Sequence, residues 1–265
     1  MRKKLEGISM NKIIPFSEIK LEKNFSSGGT CIVYKGHYKF LNVAVKKMSL
    51  HPMSMLDFKA LINELLILDR LKHENIIMVY GFSVDCSGDL YIISHFYSKG
   101  NLRNFLKRGK VGFGQKMRLL FQVARAINFI HSMNPPILHR DIKPDNIFIS
   151  DSQNAILGDF GISKEFLDFK EQNLQTETFS TMEYMSPETL NNKVYYKQTD
   201  TYSYGVLMFE VLTEESFSKK NGYEFIADIC QNKYRPNLDK LDTQPRLQAL
   251  IRHCWQENWK KRPEF

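Results

Sequence analysis

The sequence contains few cysteines, no long hydrophobic run and no internal repeat, and each absence excludes a class of protein. Its four cysteines are far apart and show no Cys-x-x-Cys spacing, so neither a disulfide framework nor a zinc site is predicted. No apolar run reaches the roughly 18 residues that a membrane span needs. The best candidate, Tyr204–Leu212, is short and contains Glu210. The basic N-terminus is not followed by a signal-peptide core, and we therefore expect a cytoplasmic protein without a membrane span.

The excess of basic residues, 37 against 29 acidic ones, gives a formal net charge of +8. Clustered lysines and arginines would favour a nucleic-acid partner, because they neutralise phosphates. Here the cations form only short runs, and the sequence has no aromatic and basic platform of the kind that nucleic-acid readers carry. A solvated basic surface is the favoured interpretation, and no nucleic-acid partner is predicted.

The apolar pattern changes character near Ser98-Lys99-Gly100, which has the composition of a hinge. Before it, residues 19–47, 76–82 and 90–94 read as strands, with one helix predicted after Asp57. After it, the periodicity is mostly that of helices. Two apolar stripes predict a buried helix there: Leu119, Val123, Ala126 and Ile130, and Met117, Leu120, Ala124 and Ile127.

This pattern predicts an α+β fold with two lobes, a small β-rich lobe with one helix and a larger α-helical lobe. We expect an N-terminal extension over residues 1–13 and one domain over residues 14–265, divided near residues 97 and 98. A cleft between two such lobes is a common place for a ligand.

Residues 139–146 read HRDIKPDN, which is the catalytic-loop signature of protein kinases. An isolated aspartate in a loop is usually a turn or cap residue. Here every polar residue stands at the offset that the signature requires, and the metal-binding triplet DFG follows at residues 159–161. The chain therefore resembles the eukaryotic protein kinase family from about Ile19 to Phe265, and it looks closest to the tyrosine-kinase-like serine/threonine branch.

The resemblance implies transfer of the γ-phosphoryl group of ATP to a protein hydroxyl, with ATP and Mg²⁺ as cofactors. Asp141 is expected to accept or orient the hydroxyl proton, and Lys143 to stabilise the moving phosphoryl group. Asn146 and Asp159 are expected to bind the metal. The enzyme's main task in such a reaction is to position the reactants and neutralise charge.

Residues 43–46 read VAVK and resemble the third-strand motif of the family. Alternation along a strand places Ala44 and Lys46 on one face, so that Ala44 can touch adenine while Lys46 reaches the phosphates. Glu64 matches the family's helix glutamate and shares a face with inward-pointing leucines. An inward-facing carboxylate needs a cation, and Lys46 is the partner that the resemblance implies.

Ser94-His95-Phe96-Tyr97 resembles the gatekeeper and hinge of the family. Backbone groups of His95 and Tyr97 are expected to bind adenine, and the small Ser94 predicts an open space behind it. Bulky N6-substituted ATP analogues should therefore bind better here than to a Ser94→Phe variant. The nucleotide contacts that the resemblance implies are Ser26, Gly28, Val33, Ala44, Lys46, Ser94, His95, Tyr97, Asn146, Phe148 and Asp159.

The phosphate loop departs from the family pattern, because its three glycine positions hold Ser26, Gly28 and Cys31. Glycine lets backbone N–H groups approach phosphates closely, often at positive φ. A non-glycine residue at positive φ costs about 1–2 kcal/mol, so we expect weakened ATP affinity. The departure keeps one alternative open, a pseudokinase that acts as a nucleotide-binding scaffold or allosteric module.

Lys143, together with Thr181 ahead of Glu188, is typical of serine/threonine kinases, although dual specificity stays open. Arg140 beside the catalytic aspartate suggests activation by a phosphate between the DFG triplet and Glu188. The candidate acceptors are Thr176, Thr178 and Ser180. The expected partners are protein substrates and an upstream or trans-autophosphorylating kinase.

Three further residues are expected to hold the site without taking part in the chemistry. In the family pattern, Glu188 ends the activation segment and pairs with a late arginine, which is Arg262 here. Asp200 matches the buried aspartate that braces the backbone of the catalytic loop. We expect all three to be structural.

Overall fold

The computed structural model describes residues 13–28, 31–48, 65–160, 164–165, 182–192, 194–217 and 222–265. The chain divides into two compact units, Met1–Ser98 and Lys99–Phe265. The first unit is built on a β-sheet and the second mainly on α-helices, so the predicted α+β architecture is confirmed.

The first unit contains an antiparallel sheet of five strands in the order β1-β2-β3-β5-β4. Its strands are β1 (Ile19–Gly28), β2 (Cys31–Tyr38), β3 (Leu41–Met48), β4 (Val79–Val84) and β5 (Leu90–His95). Residues 65–70 are helical and form α1, while Asp57 lies outside the described residues. β4 begins three residues later than predicted, and the N–H of Ile76 instead closes a turn onto the carbonyl of His73.

Alternation along the strands gives the sheet one apolar face. Val43 and Val45 on β3 are fully buried, whereas Ala44 and Lys46 are only partly buried. The apolar face packs into a core of Ile14, Ile19, Val43, Val45, Tyr91 and Ile93. Burying one such aliphatic side chain stabilises the fold by roughly 1.5–3 kcal/mol, so this core fixes the face of β3 on which Lys46 lies.

The second unit contains helices and two short strand pairs. Its helices are α2 (Leu102–Lys107), α3 (Phe113–His131), α4 (Pro187–Asn192), α5 (Lys197–Thr213), α6 (Gly222–Cys230) and α7 (Pro245–Cys254). Strand β6 (Ile137–Leu138) pairs with β9 (Lys164–Glu165), and β7 (Ile147–Ile149) pairs with β8 (Ala155–Leu157).

Helices α3 and α5 supply a large part of the core of the second unit. Most members of the two predicted stripes on α3 are buried, namely Leu119, Leu120, Val123, Ala126, Ile127 and Ile130. On α5, every residue from Thr199 to Thr213 is buried, which explains the apolar run in this part of the sequence. Across the described ranges, no helix is both long enough and apolar enough to cross a membrane.

Candidate active site

The carboxylate of Asp141 is held by two neighbours in the catalytic loop. Its Oδ2 accepts hydrogen bonds from Lys143 Nζ at 2.8 Å and from Asn146 Nδ2 at 2.7 Å. Its Oδ1 is buried and accepts no hydrogen bond from the described residues. A carboxylate with one oxygen fixed and the other still able to accept is suited to take a proton from a bound hydroxyl.

These three side chains meet because the chain turns sharply after Lys143. Pro144–Asn146 forms one turn of 3-10 helix, in which the N–H of Asn146 donates to the carbonyl of Lys143 at 3.0 Å. Proline suits the first position of a helix, since its fixed φ is already helical and its missing N–H would have no partner there. The turn brings Asn146 back to Asp141, whose backbone carbonyl also accepts a hydrogen bond from Asn146 Nδ2 at 2.8 Å.

Asn146 is connected to Asp159 through the backbone. The carbonyl of Asn146 accepts the N–H of Gly158 at 2.8 Å, and Asp159 follows with an exposed side chain and a φ of 56°. Because the amide nitrogen of Asn146 donates to Asp141, its side-chain oxygen is the atom left for a cation. Amide and carboxylate oxygens are ligands that Mg²⁺ accepts, so these residues fit the metal in chemical type. Phe148, two residues after Asn146, is partly buried on β7.

His139 is fully buried, and its contacts determine its tautomer. The N–H of Asp141 donates to Nδ1 at 3.3 Å, so Nε2 carries the proton and donates to the carbonyl of Gly158 at 3.0 Å. Burial lowers the pKa of His139, which favours the neutral ring. The ring also packs edge-on against Phe160, with 4.7 Å between centroids.

Asp200 on α5 braces the start of the catalytic loop, as predicted. Its Oδ2 accepts the N–H of His139 at 2.9 Å, and its Oδ1 accepts the N–H of Arg140 at 2.8 Å. His131 Nε2 lies 2.8 Å from Oδ2 as well. Burial opposes ionisation of this carboxyl, but the hydrogen bonds, first that of His131, outweigh it, so the pKa of Asp200 lies below its ordinary value.

Two arginines complete the surroundings of the loop. The guanidinium of Arg140 lies over the ring of Tyr195, 3.9 Å from its centroid. The predicted pair of Glu188 and Arg262 is bidentate, with nitrogen–oxygen distances of 2.7 and 2.9 Å. Arg262 is buried, so the fork-to-fork geometry holds α4 firmly to the C-terminal part of the chain.

The first unit brings together a second group of predicted residues. The register pairs Val33 on β2 with Lys46 on β3, and Ala44 on β3 with Ser94 on β5. Directly paired residues of antiparallel strands point to the same face. These four residues therefore share the face opposite the apolar core. Ser94 is buried and its hydroxyl donates to the carbonyl of Ala44 at 3.4 Å.

His95 and Tyr97 lie at the end of β5. The N–H of His95 donates to the carbonyl of Met78 at 2.9 Å. The backbone group of His95 that is left for the predicted contact with adenine is therefore its carbonyl. The ring Nδ1 of His95 hydrogen-bonds with the hydroxyl of Tyr80 at 2.9 Å. Burial raises the pKa of Tyr97 to about 12, which keeps its hydroxyl protonated at neutral pH.

The phosphate loop has strand geometry at its predicted glycine positions. Ser26 on β1 pairs with Val33, and Gly28 pairs with Cys31 at the start of β2. Ser26 and Cys31 lie in strands, although the register shifts between Asn24 and Ser26, and the strand assignment gives no support to the positive φ on which the predicted affinity penalty depended. Weakened ATP affinity therefore stays a prediction that depends only on the missing glycines.

Five predicted residues lie outside the described part of the chain. They are Glu64, Thr181 and the candidate acceptors Thr176, Thr178 and Ser180.

Sequence reasoning missed two residues that the structure brings to the loop. His131 is the last residue of α3, where a histidine is ordinarily explained by the helix dipole, yet it contacts Asp200. Arg103 on α2 donates to Asp145, the residue before Asn146, at 2.8 Å. No local signal distinguishes Arg103 from the other cations nearby, because its partner is 42 residues away.

Comparisons with known proteins agree with this geometry. The sequence model of the family described as protein tyrosine and serine/threonine kinase matches residues 19–265. A protein of Acanthamoeba polyphaga mimivirus, named as a candidate serine/threonine-protein kinase/receptor, is 33% identical over 95% of this chain and 15% of its own length. The RGS domain-containing serine/threonine-protein kinase A of Dictyostelium discoideum is 28% identical over 98% of this chain and 23% of its own length.

A third relative, the dual specificity protein kinase shkA of Dictyostelium discoideum, is 30% identical over 94% of this chain and 48% of its own length. The chain therefore spans less than half the length of each of these three relatives.

Proposed function

The chain belongs to the protein tyrosine and serine/threonine kinase family, and we propose that it transfers the γ-phosphoryl group of Mg-ATP to serine and threonine hydroxyls of proteins. The curated relatives carry serine/threonine or dual-specificity kinase names. Lys143, two residues after Asp141, supports the serine/threonine preference. The assay below decides whether the same site also phosphorylates tyrosine.

The observation that carries the proposal is the arrangement around Asp141. Lys143 and Asn146 fix Oδ2, and Oδ1 is buried with no hydrogen-bond partner among the described residues. A substrate hydroxyl that reaches Oδ1 would give its proton to Asp141 as its oxygen bonds to the γ-phosphorus, while the bond from that phosphorus to the β–γ bridging oxygen breaks and ADP leaves. Because Lys143 is already beside the carboxylate, its ammonium can stabilise the negative charge of the phosphoryl group in transfer.

The first unit contributes nucleotide-binding groups in this proposal. Lys46 binds the α- and β-phosphates, and Glu64 orients the ammonium of Lys46. Ala44 and Val33, on the same face of the sheet as Lys46, contact adenine. The carbonyl of His95 accepts a hydrogen bond from the base, with further backbone contacts from Tyr97. Phe148, Ser26 and Gly28 add nucleotide contacts.

ATP and Mg²⁺ are the cofactors that the family generally uses. The side-chain oxygens of Asn146 and Asp159 would hold Mg²⁺, which neutralises phosphate charge when bound. The hydrogen bond from Gly158 to the carbonyl of Asn146 limits how far the two ligands can move apart. Loss of Asp159 should therefore abolish transfer while leaving the fold intact.

Activity is proposed to depend on phosphorylation within the segment of residues 159–188. A phosphate at Thr176, Thr178 or Ser180 would pair with Arg140, whose guanidinium now lies over Tyr195. Either an upstream kinase or a second copy of the chain can supply it. Full activity of a variant with alanine at all three positions would rule this regulation out.

Incubation of the purified chain with γ-labelled ATP, Mg²⁺ and a generic protein substrate tests the proposed function. We expect label on serine and threonine of the substrate, and none with an Asp159→Ala variant of equal thermal stability. Phosphoamino-acid analysis of the product decides whether tyrosine is also a substrate. Nucleotide binding without any transfer would instead identify a pseudokinase.

A further inference from the structure

Arg103 connects three elements of the second unit through one guanidinium. Its Nε donates to Asp145 Oδ2 at 2.8 Å, and its Nη2 donates to the hydroxyl of Tyr184 at 2.7 Å. That hydroxyl in turn donates to Glu210, and the other oxygen of Glu210 accepts the N–H of Phe217 at 3.3 Å. One chain of hydrogen bonds thus joins α2, the 3-10 turn and α5.

One end of this chain of hydrogen bonds is rigid. Tyr184 is 2% exposed and Glu210 is 8% exposed. The backbone of Tyr184 is fixed too, because the hydroxyl of Ser203 on α5 donates to its carbonyl at 2.7 Å. Buried groups with satisfied hydrogen bonds have little freedom to move. The guanidinium of Arg103 is therefore held from the core side.

The other end is the turn that orients the catalytic residues. Asp145 is the middle residue of Pro144–Asn146, directly before the asparagine that holds Asp141 Oδ2. From this geometry we propose that Arg103 is a positioning residue, which fixes the turn through Asp145 and thereby keeps Asn146 on Asp141. The proposal rests on the proposed function, since positioning matters only if Asp141 acts on a substrate.

An arginine is required for this task because two partners must be held at once. The planar guanidinium offers donors in a fixed fork, whereas a lysine ammonium on a flexible stem cannot maintain both contacts at these distances. The alternative interpretation is an ordinary surface ion pair. The side chains of Arg103 and Asp145 are 34% and 39% exposed, and such a pair contributes little to stability by itself. The two interpretations therefore predict different amide exchange rates in the turn and different turnover, but similar free energies of unfolding.

The first experiment measures amide hydrogen exchange in the full chain, comparing Arg103→Met with the wild type. Two amides report on the turn, that of Asn146, which donates to Lys143, and that of Gly158, which donates to Asn146. We expect both to exchange several-fold faster in the variant, with α5 unchanged. The matched control is Arg118→Met, which removes an exposed arginine of α3 that donates to the backbone carbonyl of Gln153 in the same unit.

The second experiment measures turnover with the same variants. Because small displacements of a catalytic group can cost up to about a hundredfold in rate, we expect Arg103→Met to lower kcat about ten- to hundredfold. Arg103→Lys should recover part of the loss, and Arg118→Met should behave as wild type. If Arg103 acts through Asp145, then Arg103→Met should cost little further when it is added to Asp145→Asn.

The results separate this inference from the proposed function. Unchanged exchange at Asn146 and Gly158 in the Arg103→Met chain overturns the positioning role, whatever the activity. Faster exchange throughout α5 also overturns it, since that result means general loosening of the fold. A wild-type chain that transfers no phosphate refutes the proposed function, while the exchange comparison still decides whether Arg103 orders the turn.

Discussion

Asp200 holds Arg140 in a backbone conformation that an arginine rarely adopts. Asp200 Oδ1 accepts the N–H of Arg140 at 2.8 Å, and the φ of Arg140 is 70°. A non-glycine residue in this left-handed region carries about 1–2 kcal/mol of strain. The carboxylate compensates by binding two consecutive N–H groups, those of His139 and Arg140. The loop that carries Asp141 is thereby fixed to α5, which is buried along most of its length.

Asp200→Asn should strongly destabilise the chain. An asparagine has one side-chain acceptor oxygen, so it cannot receive the N–H groups of His139 and Arg140 as a carboxylate does, and one buried donor loses its partner. Breaking a buried charged network of this kind costs about 3–5 kcal/mol. Urea unfolding followed by circular dichroism measures the loss. The exposed Asp242→Asn is the control, and equal midpoints for the two variants would show that Asp200 does not brace the loop.

Asp141→Asn should leave the fold intact and remove most of the activity. The amide preserves the shape of the side chain but cannot accept a proton at neutral pH, and loss of a positioned base typically lowers the rate by about 10²–10⁴-fold. Steady-state kinetics with saturating Mg-ATP measure kcat, while the KM for ATP should change little. Near-normal turnover of Asp141→Asn would contradict the assignment of Asp141 as the proton acceptor.

Much of the catalytic loop could be predicted because its contacts are local. Lys143 and Asn146 meet Asp141 from two and five residues away, and a single 3-10 turn suffices to bring them together. The strand pattern likewise predicted the shared face of Ala44 and Lys46, because alternation in a strand is set by the backbone itself.

The contacts that sequence reasoning missed are those between distant elements. His131 and Asp200 are 69 residues apart, and Arg103 and Tyr184 are 81 apart. Such pairs depend on how helices pack, and no periodicity along one element encodes the partner. At Ser26 the family pattern suggested strained backbone, whereas the residue lies in β1 next to a shift in the strand register, and the predicted loss of ATP affinity stays a prediction.

Gly205→Ala should destabilise the packing of α5 against α7. A Cβ at Gly205 would lie 2.8 Å from Cys254 Cβ, an atom attached directly to the backbone that cannot swing away. Overpacking of this kind costs about 1–3 kcal/mol. In Gly114→Ala, on α3, the added Cβ meets nothing within 4 Å, so this control should be neutral or stabilised by up to about 1 kcal/mol. Denaturation midpoints that shift alike in both variants would refute the close approach.

Acid should destabilise the chain through His139. Burial lowers the pKa of His139 in the folded state, whereas the unfolded chain keeps the ordinary value of about 6.5. As pH falls below about 6.5, the unfolded state binds a proton that the folded state does not, so stability falls by up to about 1.4 kcal/mol per pH unit until the folded pKa is reached. Burial raises the pKa of Glu210 and Glu183, which gives the opposite slope between their folded and ordinary values.

Comparison of His139→Gln with the wild type isolates the histidine term, because the glutamates are common to both chains. Glutamine retains a donor and an acceptor but does not titrate, so the variant should be less stable at pH 7.5 and lose less stability between pH 6.5 and 5. Urea unfolding at each pH supplies the two profiles. His253→Gln, an exposed histidine on α7, is the control and should follow the wild-type profile. Parallel profiles for His139→Gln and the wild type would show that His139 is not held neutral in the folded protein.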